Sequence, residues 1–575
     1  MIDTSRAPWE LTPEALAKVQ QAPPEPPEPA REEDEPREPV GDLRRATWAD
    51  LGLAGALALL AVLSVLFTCR GFGWSWDEAY YYAPAQMTAE WIGDFLENPR
   101  AAASRKTIDA LWAGPNDPGT GRPVGIIELP SLVKWAMGIS WALTRSWWGD
   151  MRALRLPAAL AFGASVFLIY LLTLNSYRRR AAVIAAVAFL TMPRVFGHAH
   201  LGATETITNA VILFAIYCYF MGLRSPWGAV LFGVAYGLAL DTKINAVLLA
   251  PVLLVWAHVF HRRAYVGNFF AMAFLAPLVW IALWPWLWHD TLPRLIDYFG
   301  FFLHHQQTAV FYLGKAWGWG RANTPWHYPT VMTLVTVPLP VLLFAICGVA
   351  RTAAHARWEY RGILFTAFAA IVLLHASLPD APKYDGTRLF FSLFPLLAIL
   401  AGGGADSLVQ LFPWNRPLHA RADLRRVVAG LFILLLAGNG LWGIARSHPH
   451  ELSYFNILTG GLRGARDRFE TTYWGEALNE QVLAALNTLP EGANIQTLAM
   501  HGMTLLHLLE WGRLRKDLRI DAGPPYDYFL LQMRQGFFGR REAYLAERAP
   551  TRIFAFRGVP FFALYDREAA GEAAQ

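Results

Sequence analysis

From residue 48 onward the chain alternates long apolar stretches with short polar ones. The apolar stretches run near 48–68, 126–144, 156–174, 181–196, 206–222, 227–241, 244–260, 266–288, 329–350, 361–378, 389–412 and 427–445. A helix needs ~20 apolar residues to cross a bilayer, so most of these reach across, while 181–196 and 227–241 are short for it. The pattern predicts a polytopic α-helical membrane protein of about 11–12 transmembrane helices. After residue 446 the period changes. Strand-like runs appear at Ile495–Ala499, Tyr528–Gln532, Arg552–Phe556 and Val559–Tyr565, with helical stretches at 476–488 and 501–512. Residues 446–575 therefore read as a small α/β domain. Before residue 48, the Pro- and Glu-rich run 21–42 has little to bury. Residues 1–47 read as a disordered cytoplasmic tail and not as a secretory signal, which needs a basic start and an apolar core.

Basic clusters set the orientation. Arg178–Arg180, Arg262–Arg263 and Arg416–Arg426 all belong in the cytoplasm by the positive-inside rule. They fall there together if 126–144 does not span. That stretch carries Lys134 and several Trp residues, which suits a helix lying at the outer interface. Eleven spans are expected, with twelve as the alternative. The loops 70–155, 197–205, 289–328 and 379–388 and the tail then face outward from a membrane core at 48–445.

Composition sharpens this. Of 575 residues, 54% are hydrophobic and 17% charged, and mean hydropathy is +0.27. Soluble domains carry ~25% charged residues, so several water-soluble domains are excluded. The three cysteines lie far apart, which excludes a disulfide framework or zinc-finger cluster. A net charge of +5 is too small to argue for nucleic acid. The 24 tryptophans suit interfacial belts and sugar-stacking surfaces.

Candidate chemistry lies in the outward segments. Asp77 and Glu78 follow the first apolar stretch within Trp74-Ser75-Trp76-Asp77-Glu78-Ala79-Tyr80-Tyr81-Tyr82. Paired acids there are either ordinary loop acids or a carboxylate base at a water-accessible rim. Trp76 and Tyr81 supply an aromatic platform for substrate. Glu205 starts an apolar helix, just after His198 and His200. These residues either cap and line an interface or join Asp77 around one cavity, with a divalent metal as a possible cofactor. His-X-His alone is a weak metal signal. Arg388, preceded by Lys383, opens an apolar stretch on the outward side, against the charge rule. It either pairs with Asp380 or Asp385 or holds an anion, since its planar fork matches phosphate. Lys243 is a similar cation, with Asp241 as its apparent local partner. His304, His305 and the tryptophans of 289–328 could cover a sugar site. No Walker loop, G-x-S-x-G elbow or H-E-x-x-H occurs.

In order and spacing, these motifs resemble the C-type glycosyltransferase superfamily, particularly the bacterial relatives of protein O-mannosyltransferases and the lipid A aminoarabinose transferase. The resemblance rests on Asp77-Glu78, TMPRVFGHAHLGATETITNAVILF, GLALDTKINAVLLAP and YDGTRLFFSLFPLLAILAG, and more weakly on the tail stretch HPHELSYFNILTGGLRGARDRFETTYWGEALNE. It implies a polyprenyl-phosphate-linked sugar donor and a protein or lipid/glycan acceptor on the outer face of the bacterial cytoplasmic membrane. It implies Asp77 as base, with Glu205 a second acidic position. It also implies that Arg388, with Lys243 and Lys383 as further candidates, holds the donor phosphate. A transporter or flippase of lipid-linked intermediates, which would not need a base, is the alternative.

Overall fold

The structure is a computed structural model and describes residues 46–113, 130–261, 265–303, 307–355, 360–411 and 418–571. The expected tail 1–47 therefore lies almost entirely outside the described residues, as do His304, His305, Arg262, Arg263 and Arg416.

Among the described residues, seven helices are long and apolar enough to cross a membrane: Trp48–Gly71, Asp150–Ser176, Thr204–Gly222, Val266–Leu283, Tyr360–Ser377, Leu393–Gln410 and Ala422–Ser447. Arg179–Leu190 and Pro193–Ala199 meet at a 66° bend and make an eighth if counted as one span. Three shorter apolar helices, Pro226–Leu240, Ile244–Phe260 and Leu339–Ala354, complete the set of eleven segments. Each coincides with one expected stretch, but fewer than eleven reach full length. Asp241-Thr242-Lys243 separates two short helices, and Val337 and Pro338 split 329–350 into Tyr328–Thr336 and Leu339–Ala354. The stretch 126–144 becomes the helix Leu132–Trp148, which is not among the candidate spans and buries Lys134. The first six residues of Asp150–Ser176 thus lie inside the loop expected at 70–155.

Local signals explain the key starts. Thr47 and Asp50 form a capping box on the first span, and Ser75 and Glu78 form another on the helix Trp76–Glu97. Small residues let backbones approach. At Gly402 and Gly404 a Cβ would collide with carbonyl oxygens of the helices containing Ala181 and Phe344.

One end of the bundle gathers cations. Arg179 binds Asp50 at 2.6 Å, Arg180 binds Asp406 at 3.2 Å, and Arg425 donates to the Gln410 carbonyl at 3.3 Å. The first span runs from that end to Phe72, next to Asp77.

The tail forms a five-stranded sheet. Strands β3 (Asn494–Leu498), β4 (Arg519–Ile520), β5 (Tyr528–Gln532), β6 (Arg552–Phe556) and β7 (Val559–Asp566) lie in the order β4-β3-β5-β7-β6. β3 is parallel to β4 and β5, and β7 is antiparallel to β5 and β6. Val559–Tyr565 are all buried, which fits a near-central strand. Helices Glu480–Leu486 and Met503–Glu510 fall on the two expected helical stretches. The loop 289–328 holds an unforeseen hairpin, β1 (Val310–Tyr312) and β2 (Lys315–Trp317). Its two-residue turn, Leu313-Gly314, has both φ positive, as a type I′ turn requires.

Candidate active site

Asp77 sits in the first turn of Trp76–Glu97, at the end of the bundle opposite the arginine cluster. Its Oδ1 accepts from Trp474 Nε1 at 3.0 Å, and its Oδ2 accepts from Tyr81 Oη at 3.1 Å. Oδ2 also meets Nη2 of Arg388. Arg388 is shared between three carboxylates. Nη1 donates to Asp385 Oδ2 at 2.9 Å and Nε to Glu205 Oε1 at 3.0 Å. Its guanidinium lies 4.6 Å over the Trp474 ring. Lys243 Nζ donates to the same Glu205 Oε1 at 2.7 Å. A charge-alternating chain therefore runs Asp77, Arg388, Glu205, Lys243.

The tail extends that chain. Asp385 Oδ1 accepts from Arg534 Nη2 at 2.7 Å, and Arg534 Nη1 donates to the Tyr473 carbonyl at 2.7 Å. Behind it, Glu470 Oε1 lies 3.5 Å from Arg534 Nε. Asp385 and Gly386 both have positive φ, so the chain turns sharply to aim Asp385 and Arg388 into the site. A Cβ on Gly386 would meet the buried Arg194 at 2.7 Å.

The electrostatics follow from burial. Burial pushes the Asp77 carboxyl up. Arg388 pulls it back, Glu205 and Asp385 push it up again, and the result is above the ordinary carboxylate value. Burial alone would lower the Arg388 guanidinium, but its three carboxylates outweigh this and hold it well above its ordinary value. Burial lifts the carboxyls of Glu470 and Glu476 to about 7. Several buried polar atoms have no hydrogen-bond partner among the described residues: both ring nitrogens of His198, Glu205 Oε2 and Arg194 Nη2. Unsatisfied buried groups are rare in folded proteins, and this concentration suits a polar ligand.

Other expected site residues have partners that the sequence did not indicate. Glu78 is no free acid: it takes Arg155 Nε at 2.6 Å and Nη2 at 2.8 Å, the Gly202 N–H at 2.8 Å and the Ser75 cap. Lys383 is not in the site. Its Nζ caps carbonyls of its own loop, those of Leu378 and Ala381. Lys243 pairs with Glu205, because Asp241 is engaged by the Ser131 N–H at 3.1 Å. His198 and His200 have different neighbours. His200 stacks on Phe72 at 4.1 Å between ring centroids and contacts Thr68 Oγ1 at 2.8 Å, while His198 packs against Phe391 at 4.3 Å. Among the described residues no group of three or more His, Cys, Asp or Glu could hold a metal ion. Arg388 occupies the space between the carboxylates instead. Sequence reading missed Trp474, Arg534 and Glu470. Glu470 and Trp474 lie in or beside the aromatic, acidic run Tyr473-Trp474-Gly475-Glu476, while Arg534 had no such run around it.

Residues 128–289 match the dolichyl-phosphate-mannose-protein mannosyltransferase family model. An undecaprenyl phosphate-alpha-4-amino-4-deoxy-L-arabinose arabinosyl transferase of Aeromonas hydrophila is 29% identical over 348 residues, 58% of this chain and 59% of the relative. One from Pseudomonas fluorescens is 26% identical over 46% of each chain. The chain thus spans about three-fifths or less of the curated relatives it matches. Among solved structures, ArnT from Cupriavidus metallidurans bound to undecaprenyl phosphate aligns with a TM-score of 0.50 at 15% identity, covering 91% of this chain and 99% of that one. The Archaeoglobus fulgidus oligosaccharyltransferase tethered to an acceptor peptide aligns with a TM-score of 0.50 at 11% identity, covering 90% and 74%. The chain is a multi-span membrane protein with the fold of the C-type glycosyltransferases and a small C-terminal sheet domain, as the sequence resemblance implied.

Proposed function

We propose that this chain is a membrane glycosyltransferase that moves a sugar from a polyprenyl-phosphate donor to a hydroxyl of a cell-envelope acceptor. The supporting observation is the Asp77–Arg388 contact: a buried carboxylate base touching the cation best placed for a phosphate. The curated relatives, named as arabinosyl transferases of undecaprenyl phosphate sugars, support the donor class.

The chemistry is a displacement at the anomeric carbon. Asp77 takes the acceptor hydroxyl proton as that oxygen bonds to the sugar. The bond to the lipid phosphate breaks on the opposite face, so the centre inverts. Arg388 and Lys243 neutralise the departing phosphate, which then needs no strong acid. All three Arg388 nitrogens are engaged before donor binds. A donor phosphate takes one of them from Asp77 and thereby frees the base. On this reading the core 48–445 and the tail 446–575 present the site on the outer face of the bacterial cytoplasmic membrane.

The test is a membrane assay with a panel of polyprenyl-phosphate sugars, paired with glycan analysis of a deletion strain. Transfer should occur with one donor class and fall by ~10²–10⁴-fold in Asp77→Asn. A transporter would instead keep moving donor across vesicles in that variant, and this result would end the transferase reading.

A further inference from the structure

Three aromatic rings from distant segments meet beside Asp77. Trp76, its chain neighbour, lies 5.6 Å from Phe537 of the tail, edge to face. Phe537 lies 4.3 Å from Trp319 of the loop 289–328, again edge to face. The Arg534 guanidinium stands 3.7 Å from the Phe537 ring and 4.8 Å from the Trp76 ring, holding the first two together.

Trp319 is held outward. It remains 54% exposed, yet its loop is braced. Its φ is +44°, between Gly318 at +76° and Gly320 at +71°. A bulky L side chain avoids that conformation, so the surroundings impose it. The Trp319 N–H donates to the Gln307 carbonyl at 3.3 Å and Gly318 N–H to Ala322 at 3.1 Å. Arg321 then pins the loop to the tail through the carbonyls of Gly536 and Phe538, both at 3.1 Å. Burial does not account for this placement, since the indole stays largely in the open.

We propose that Trp319, Phe537 and Trp76 form a carbohydrate-binding subsite beside Asp77, and that the acceptor presents a saccharide ring there. A pyranose has an apolar C–H face that stacks on an open indole such as Trp319. The acceptor half of this proposal rests on the transferase reading above; the binding half does not. A peptide acceptor offers no such face.

The experiment uses detergent-purified full chain on an array of bacterial surface saccharides, with no donor present. Affinity for the strongest hit is then measured for the wild type, Trp319→Leu, Trp319→Phe and Phe537→Ala. Trp319→Leu and Phe537→Ala should each weaken binding about tenfold, while Trp319→Phe stays within about threefold. Melting temperatures of the Trp319 variants should match the wild type. If the wild type retains no saccharide, or Trp319→Leu binds as well as the wild type, the proposal is overturned; the latter is the result a lipid-anchoring tryptophan gives. Saccharide binding that depends on Trp319, in a protein that transfers no sugar, would keep the subsite and end the transferase reading instead.

Discussion

The indole N–H of Trp474 donates to Oδ1 of Asp77 across 397 residues of sequence. That bond favours the charged carboxylate and opposes the upward push of burial. Trp474→Phe should therefore raise the Asp77 pKa further and move the acid limb of kcat/KM to higher pH. A limb that stays in place in a pH–rate profile would show that the indole only packs.

Asp77→Asn should lower turnover by ~10²–10⁴-fold, the usual range for loss of a general base. The acid limb should disappear with it, because the group that must lose a proton is gone. In the wild type that limb should lie above the ordinary carboxylate value, since burial raises Asp77. Initial rates across pH 4–8 (about the stable range of most proteins) read both effects.

Arg388→Lys keeps one charge but cannot grip three carboxylates and a phosphate. Donor use should fall more than about tenfold, since losing one partner of a buried charged pair costs ~2–5 kcal/mol. Melting temperature should fall too, as at least one of Asp77, Glu205 and Asp385 loses its cation. Unchanged donor binding to the purified variant would assign Arg388 to the fold alone.

Glu78→Gln separates structure from chemistry. It leaves Arg155 buried without a charged partner, which costs ~3–5 kcal/mol. Folded yield and thermal stability should drop, while turnover per folded molecule stays within about twofold because Glu78 has no open face to substrate. Thermal scans paired with active-site-normalised rates check this.

Glu470 and Glu476 make tail stability pH-dependent. Their folded pKa values, about 7, lie above the ordinary 4.5, so the folded state binds more protons. The associated stability is complete below pH 4.5 and is lost as pH rises through 7, at up to ~1.4 kcal/mol per pH unit per group. Melting temperature should fall between about pH 5 and 8. Glu470→Gln, which cannot ionise, should flatten that slope.

The membrane core was legible because apolar length is a local property, and eleven stretches marked eleven helical segments. Asp77, Glu205, Arg388 and Lys243 stood out because charges at an apolar boundary are rare. The same rule also picked Glu78 and Lys383, since sequence cannot tell a cation that waits for a ligand from one capping its own loop. Trp474 and Arg534 carried no such contrast: a tryptophan and an arginine in a folded tail are ordinary until the tail docks. The pairing of Lys243 with Glu205 instead of Asp241 was likewise hidden, because Ser131 reaches Asp241 only through the tertiary fold.

Because Trp474 and Arg534 come from the last quarter of the chain, the site cannot exist while the protein is still being made. Without the tail, the Arg388 guanidinium would lack the Trp474 ring beneath it and Asp385 Oδ1 would lack Arg534. On the transferase reading proposed above, the site is therefore complete only once the tail has been made and has folded against Asp77 and Asp385.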